Sequence, residues 1–463
     1  MQAAAEEGSL GERLAPRGQS SLPSRAIWPR TACSRFGHLR VGGCDVLELA
    51  QRFGTPLFVI DEDTFRDACK QYRIALRTHY PGRSAVHYAA KSFLNTAIAQ
   101  LVCAEGLGID VASDGELYIA TSAGTPPGAI HFHGNAKSRA EIQEAVRLGV
   151  GRIIVETLDE IEQLGEVLQQ TARSVEISLR IAPEVAAPTH AHIQTGHRES
   201  KFGFSLESVE AALAAAASSP AIRVTGLHFH LGSQIANFEC YERGVEVALE
   251  LTLRLRALGV EIEELSPGGG LSVPYIDSDP ACTIDAFVEA IARAVNRAWS
   301  EHDLPLPRLV LEPGRSISAR AGVALYSIVG TKHMSGSDSA RRYLHLDGGM
   351  ADNIRPALYG ARYTAVVANR LDAPRDEVVH LSGRYCESSD ILVKDVLVPS
   401  CARRGDLIAI PAAGAYTLSM ASNYNGARRP EVVLVAHGKI RSIQRRETLA
   451  ELVARDFSLG ADQ

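Results

Sequence analysis

Lys91 stands in "VHYAAKSFLN", residues 86–95, at the end of a run that alternates and thickens like a buried strand. A lysine is rarely fully buried without a partner, so taken alone the position reads as the first exposed residue of a loop. Two other stretches change that reading. "SPGGGLS" sets Gly268, Gly269 and Gly270 in succession, which lets backbone N–H groups approach an anion with no side chain in the way. "LEPGR" adds the carboxylate of Glu312 and the guanidinium of Arg315. An amine able to form a Schiff base, a glycine cradle for a phosphate and a carboxylate able to hold a pyridinium nitrogen together describe a pyridoxal 5'-phosphate site, with Lys91 as its Schiff-base lysine.

Elements that could bring these residues together recur along the chain. Short β-rich runs, each followed by a Gly or polar break and an Ala/Leu/Glu-rich segment, fall at 84–91, 108–113, 129–134, 152–157, 176–181, 226–232, 264–270 and 308–314. Strands alternating with helices imply parallel pairing, and eight evenly spaced units favour a closed (β/α)8 TIM-type barrel over a doubly wound sheet. In such a barrel the chemistry collects at the C-terminal ends of the strands. Lys91, Asp110, Ser113, His133, Asn135, His228, His230, Ser233, Gly268 to Gly270, Glu312 and Arg315 all fall there. Beyond residue 315 short β runs separated by Gly, Pro and Asp turns predict a C-terminal all-β domain, a sandwich or barrel. The expected organisation is therefore a disordered tail over 1–36, a segment over 37–56 that joins the β domain, the cofactor-binding barrel over 57–314 and the β domain over 315–463. The tail carries five Arg but also Glu6, Glu7 and Glu12, which argues against an acid-poor transit peptide.

Composition narrows the function class. The 463 residues are 46% hydrophobic, enough for two filled cores, and 48 basic against 54 acidic residues leave a net charge of −6 with no basic block to track nucleic acid. No run approaches the roughly 18 apolar residues of a membrane span. A cytoplasmic protein without nucleic-acid or membrane partners is expected. The eight cysteines form no CxxC pair, so neither a zinc site nor a disulfide framework is indicated, and most read as core thiols. "THAHIQTGH" (189–197) holds three histidines with no acidic residue or cysteine among them, and no metal site is expected.

In order, "VHYAAKSFLN", "DVASDGEL", "HFHGNAKS", "ESKFGF", "HFHLGSQ", "PGGGL", "EPGRSI", "DGGMADNIRPALYGA", "YCESSDIL" and "GAYTLSMASNYNGARRP" resemble the motifs of the diaminopimelate decarboxylase family, fold-type III enzymes related in fold to alanine racemase. The resemblance runs from about residue 37 to about residue 450; "LSVPY" after the glycine triplet is a minor departure from it. It implies decarboxylation of meso-2,6-diaminopimelate to L-lysine. It places Glu312 at the pyridine nitrogen, His230 on the ring, Ser233 and Gly268 to Gly270 at the phosphate, Asp110 and Glu116 near Lys91, and Tyr416 near the phosphate. It makes Cys386 the acid that reprotonates the α-carbon, with Glu387 on the distal amino group, and brings Cys386, Glu387 and Tyr416 from the partner subunit of a homodimer. Arg315, Arg355 and Tyr359 would hold the distal carboxylate. Of His228 and His230 one is expected to be structural. Lys137 and Lys201 are assigned to surface salt bridges or dimer contacts. The rival readings are another amino acid decarboxylase of this fold, acting on ornithine, arginine or lysine, and a non-catalytic cofactor-binding homologue.

Overall fold

The computed structural model describes residue 22 and residues 25–185, 201–333 and 342–459. Each of the eight expected β runs forms a strand, from Ser84–Ala89 through Gly108–Val111, Ile130–Phe132, Arg152–Val155, Val175–Arg180, Ile222–His228 and Glu264–Gly268 to Arg308–Leu311. They pair in parallel in sequence order, and the eighth returns to the first with Leu309 opposite Ser84 and Leu311 opposite Val86, closing the barrel. Because helices cover the outside, the strands read as near-continuous apolar runs.

Capping side chains end the loops at the C-terminal mouth. Asn95 accepts from Ile98 N–H, Ser113 from Glu116 N–H and Thr157 from Glu160 N–H, while Ser138 and Glu141 form a reciprocal capping box. Each satisfies an amide that the first turn of a helix leaves open, so the mouth loops have defined exits. The helix Glu62–His79 buries Phe65, Cys69, Tyr72 and Leu76 on one stripe. Its Tyr72 ring meets Phe287 of the helix Ile284–Ser300 edge-on at 6.4 Å, so the two helices that precede the first and eighth strands pack across the closure.

The second unit is a mixed nine-stranded sheet built mainly from residues beyond 321. Two expected boundaries move. The run "LFVID", Leu57–Asp61, was assigned above to the barrel, but it lies between Gly322–His333, antiparallel, and Glu431–Ala436, parallel, in the centre of the second sheet. Residues 25–36, read above as tail, are also folded. Ile27 and Trp28 are each 1% exposed, Trp28 packing with Leu39, Leu57, Val59 and Leu325, and Arg320 Nε donates to the Trp28 carbonyl at 2.7 Å. Residues 1–21 and 23–24 and the histidine-rich stretch 189–197 lie outside the described residues.

The eight cysteines are free; Cys44, Cys69 and Cys240 are buried, whereas Cys33, Cys386 and Cys401 are exposed, so fewer are core thiols than expected. Among the described residues no helix is long and apolar enough to cross a membrane.

Because Trp28 is a buried aromatic of the second core rather than part of a tail, Trp28→Ala should lower unfolding free energy by about 3–5 kcal/mol. Denaturant unfolding followed by circular dichroism measures this; an unchanged midpoint would restore the reading of residues 25–36 as dispensable.

Candidate active site

A cavity of about 1060 Å³ opens at the C-terminal mouth of the barrel. Lys91 follows the first strand in a single 3-10 turn, Ala90–Ser92, and is exposed to this cavity, with no hydrogen bond or ion pair to any described residue. Its loop is tied to the second unit. Ser92 O accepts the Tyr416 backbone N–H at 2.8 Å and Ser419 Oγ at 3.1 Å. Tyr416 itself has a left-handed backbone, φ +56°, uncommon for a side chain of its size and held here by that bond.

The floor of the cavity is a network of carboxylates and imidazoles. Glu312 Oε1 accepts from Ser266 Oγ at 2.6 Å, and Glu312 Oε2 pairs with His228 Nε2 at 2.9 Å. Burial and the neighbouring Asp110 charge push the Glu312 carboxyl up to about 7, against the lowering pull of His133. Asp110 is buried too, but His133 Nε2 at 3.6 Å and His87 Nδ1 at 3.4 Å overcome that and hold it well below the usual carboxylate range. Burial, helped by the positive Arg180, keeps the His228 imidazole down at about 3. Desolvation and the nearby Lys91 charge also depress His230. Glu116 accepts the Ala112 N–H at 2.7 Å, and its carboxyl is raised by burial.

The walls carry guanidinium groups. Arg315 donates from Nε and Nη2 to Ser233 Oγ at 3.3 and 3.1 Å and from Nη1 to Tyr275 Oη at 2.7 Å. Arg355 is 7% exposed, lies 4.6 Å over the Tyr275 ring and donates to Tyr363 Oη at 2.6 Å. Burial would raise the Tyr275 hydroxyl, but Arg315 and Arg355 together bring it below its usual value. Among the described residues neither arginine has a carboxylate partner. A third, Arg180, ends the fifth strand and pairs with Glu156 at 3.0 Å.

These residues fit pyridoxal phosphate. Lys91 supplies an unengaged amine, and Glu312 a buried carboxylate. Among the described residues neither oxygen of buried Asp110 has a hydrogen-bond partner. Gly269 and Gly270 face the cavity where no side chain has room, since a Cβ on them would fall 2.3 Å from Glu312 O and 2.5 Å from Gly232 O.

A family model described as "Pyridoxal-dependent decarboxylase, pyridoxal binding domain" matches residues 63–319. The diaminopimelate decarboxylase of Synechocystis sp. is 39% identical over 457 residues, covering 97% of this chain and 96% of that one. The chain belongs to the diaminopimelate decarboxylase family of pyridoxal-dependent decarboxylases. The M. jannaschii family member, solved with L-lysine, superposes with a TM-score of 0.86 at 32% identity, covering 93% of this chain and 98% of that one. A lysine/ornithine decarboxylase of Vibrio vulnificus solved with putrescine matches less closely, with a TM-score of 0.71 at 26% identity over 85% of this chain and 97% of that one. The cofactor of the family is pyridoxal phosphate, and the (β/α)8 barrel with a second β unit is its architecture.

Of the expected site residues, Lys91, Asp110, His230, Ser233, Gly269, Gly270, Glu312, Arg315, Arg355, Tyr359 and Tyr416 line this one cavity. Gly268 does not; it turns with φ +75° and a Cβ there would meet His230 Nδ1 at 2.7 Å. Tyr416 corrects the expectation that it enters from a partner subunit, because the bond to Ser92 O seats it in the cavity of its own chain. Cys386 and Glu387 are not brought there. Cys386 is exposed, its N–H donating to Asn425 Oδ1 at 3.3 Å, and Glu387 accepts from Tyr424 Oη. His228 and His230 both reach the cavity, His228 as a bonded support of Glu312. Lys137 is buried rather than superficial, held by Glu160 and the carbonyls of Gly134 and Ile154. Lys201 faces the cavity beside Phe202. Sequence reasoning missed Arg180, Tyr275, Tyr363 and Ser266. Arg180 alone had a signal, being a charged residue at a strand's C-terminal end.

A carboxyl that titrates at about 7 in the fold and near 4.5 unfolded stabilises the cofactor-free protein fully below pH 4.5, and that contribution is lost as pH rises through 7. Glu312→Gln should therefore gain stability relative to the parent between those pH values, by on the order of 1–3 kcal/mol. Urea unfolding of both cofactor-free proteins at pH 5 and pH 8 measures it; a pH-independent difference would place Glu312 in a more solvated setting.

Proposed function

We propose that this family member removes CO2 from meso-2,6-diaminopimelate to give L-lysine, acting as a cytoplasmic homodimer. The observation that carries the substrate assignment is the pair Arg315 and Arg355. A buried guanidinium such as that of Arg355, with no carboxylate partner among the described residues, is costly unless an anion completes it, and half-buried Arg315 stands beside the same Tyr275. Diaminopimelate differs from lysine by a second carboxylate, which a planar guanidinium can grip with two charge-assisted hydrogen bonds. Tyr275 and Tyr363 orient the two arginines, and Tyr359 stands at the same cavity with a further hydroxyl.

Bound pyridoxal phosphate would supply the electron sink for the electrons left when the carboxylate departs. Lys91 Nζ would hold the cofactor covalently and later receive it back. Gly269 and Gly270, with Gly268 shaping the turn, would leave backbone N–H groups open to the phosphate, with Tyr416 beside it. Ser233 is assigned to the phosphate as well, and its hydroxyl also links it to Arg315. Glu312, oriented by Ser266 and His228, would face the ring nitrogen, His230 the ring and Asp110 the buried end of the site. Cys386 Sγ would return a proton to the α-carbon, and Glu387 would hold the distal amine. Their exposure, outside this chain's cavity, supports their delivery by a second copy. The same arginine pair disfavours ornithine, arginine or lysine as substrate, and the presence of both Lys91 and Cys386 disfavours a non-catalytic role.

The test is CO2 release from the purified protein with diaminopimelate, lysine, ornithine and arginine. Losing one partner of a buried charge pair costs on the order of 2–5 kcal/mol, so Arg355→Ala should lower kcat/KM for diaminopimelate by roughly 30-fold to several thousand-fold and leave any trace activity on lysine nearly unchanged. Equal losses on both substrates would remove Arg355 from the distal carboxylate. Lys91→Ala should abolish turnover. Mixing inactive Lys91→Ala with inactive Cys386→Ala protein should restore activity, since each exchanged heterodimer carries one intact site; silence in a mixture shown to have exchanged would place each site within one chain.

A further inference from the structure

His133 has no part in the roles assigned so far, yet it occupies a constrained position. It follows the third strand, its backbone N–H donating to Val111 O at 2.7 Å. Its Nε2 points between two buried carboxylates, 3.6 Å from Asp110 Oδ1 and 3.8 Å from Glu312 Oε1, and among the described residues has no closer hydrogen-bond partner. The ring lies edge-on to His228 at 5.1 Å. Asp110 and Glu312 are the two acids that face it; His131 on the preceding strand, His87 beside Asp110, His228 at the end of the sixth strand and His230 just beyond it are the neighbouring imidazoles, and Lys91 and Arg180 line the same cavity.

Two carboxylates this deeply buried stay charged together only at high cost unless positive charge lies between them. We propose that His133 is a positioning residue that holds a proton at Nε2 between Asp110 and Glu312 and so keeps Glu312 ionised toward the nitrogen end of the cofactor's ring. The other partners of Glu312 divide the work. Ser266 and His228 fix the direction of the carboxylate by hydrogen bonds, while His133 sets its charge. Burial and Asp110 push the Glu312 carboxyl up, and His133 is the largest of the pulls that oppose them. Asp110 and His131 with His133 and Glu312 place their donor atoms within 4.8 Å of one another, but the bonds from Ser266 and His228 already engage both Glu312 oxygens, which suits a proton better than a metal ion.

The inference rests on the cofactor assignment and is tested by binding rather than turnover. Cofactor-free full-length protein is titrated with pyridoxal phosphate and with its 1-deaza analogue, in which C–H replaces the ring nitrogen. His133→Asn should weaken pyridoxal phosphate binding by about tenfold or more, the effect of one lost charge-assisted contact, and leave the deaza analogue within about twofold. Glu312→Gln should show the same selectivity, and the double variant should lose no more than Glu312→Gln alone. Equal weakening of both ligands would make His133 a packing residue and overturn the proposal, as would no weakening of either. Failure of the parent protein to bind pyridoxal phosphate would instead overturn the cofactor assignment. Should His133→Asn not fold, 15N-histidine NMR of the parent at pH 7.5 decides: His133 protonated at both ring nitrogens supports the proposal, and a singly protonated ring overturns it.

Discussion

The barrel can close only if the strand Arg308–Leu311 returns to lie beside Ser84–Ala89, and the site depends on that pairing. It sets Leu311 opposite Val86 and lets Ala89 N–H donate to Pro313 O at 3.1 Å, which brings the loops carrying Lys91 and Glu312 together from opposite ends of the domain. Parallel pairing of the chain's distant segments pays its loop-closure entropy only when the whole ring is complete. The helices Glu62–His79 and Ile284–Ser300 pack across the same seam, so apolar burial on the outside stabilises the juxtaposition of polar groups inside.

Burial of charge at the mouth is then managed in two ways. On the floor, carboxylates and imidazoles compensate one another, and the raised Glu312 and lowered Asp110 show how unevenly the charge settles among groups that share it. On the walls, Arg315 and Arg355 are satisfied by tyrosine and serine hydroxyls but not by anions from the described part of the chain. The floor carboxylates face imidazoles of their own chain, whereas these two wall guanidiniums face no carboxylate among the described residues. That asymmetry fits the proposed division between residues that support the cofactor and residues that take the substrate, although both kinds line the same cavity.

The second unit does more than flank the barrel. Through Ser92 O it grips the turn that carries Lys91, and through Tyr416, Arg355 and Tyr359 it supplies part of the cavity wall. Leu57–Asp61 enters its sheet before the chain reaches the barrel, so the two units are interleaved along the sequence. Such a site cannot be assembled from the barrel alone. The exposed position of Cys386 on the same unit is the counterpart of this arrangement.

What the sequence by itself determined was local and periodic. Eight β runs at even spacing specified the barrel, because parallel strands buried on both faces leave little freedom in composition, and polar residues at their C-terminal ends marked Lys91, Asp110, His230 and Glu312. The tertiary structure decided whatever depends on which surfaces meet. "LFVID" has the same apolar pattern in either sheet, and only pairing shows that it joins the second. Trp28 sits in a stretch of Gly, Pro and Arg with no periodicity, and it is buried because it joins the second core with Leu39, Leu57 and Leu325. Tyr275, Tyr363 and Ser266 have ordinary neighbours in sequence; their roles arise because the fold brings Arg315 and Glu312 to Tyr275 and Ser266 from distant segments and folds Arg355 back onto Tyr363 in the second unit. Periodicity records which face of an element avoids water, but the partner of a charged group is selected by distance in three dimensions, and that is set only when the strands close.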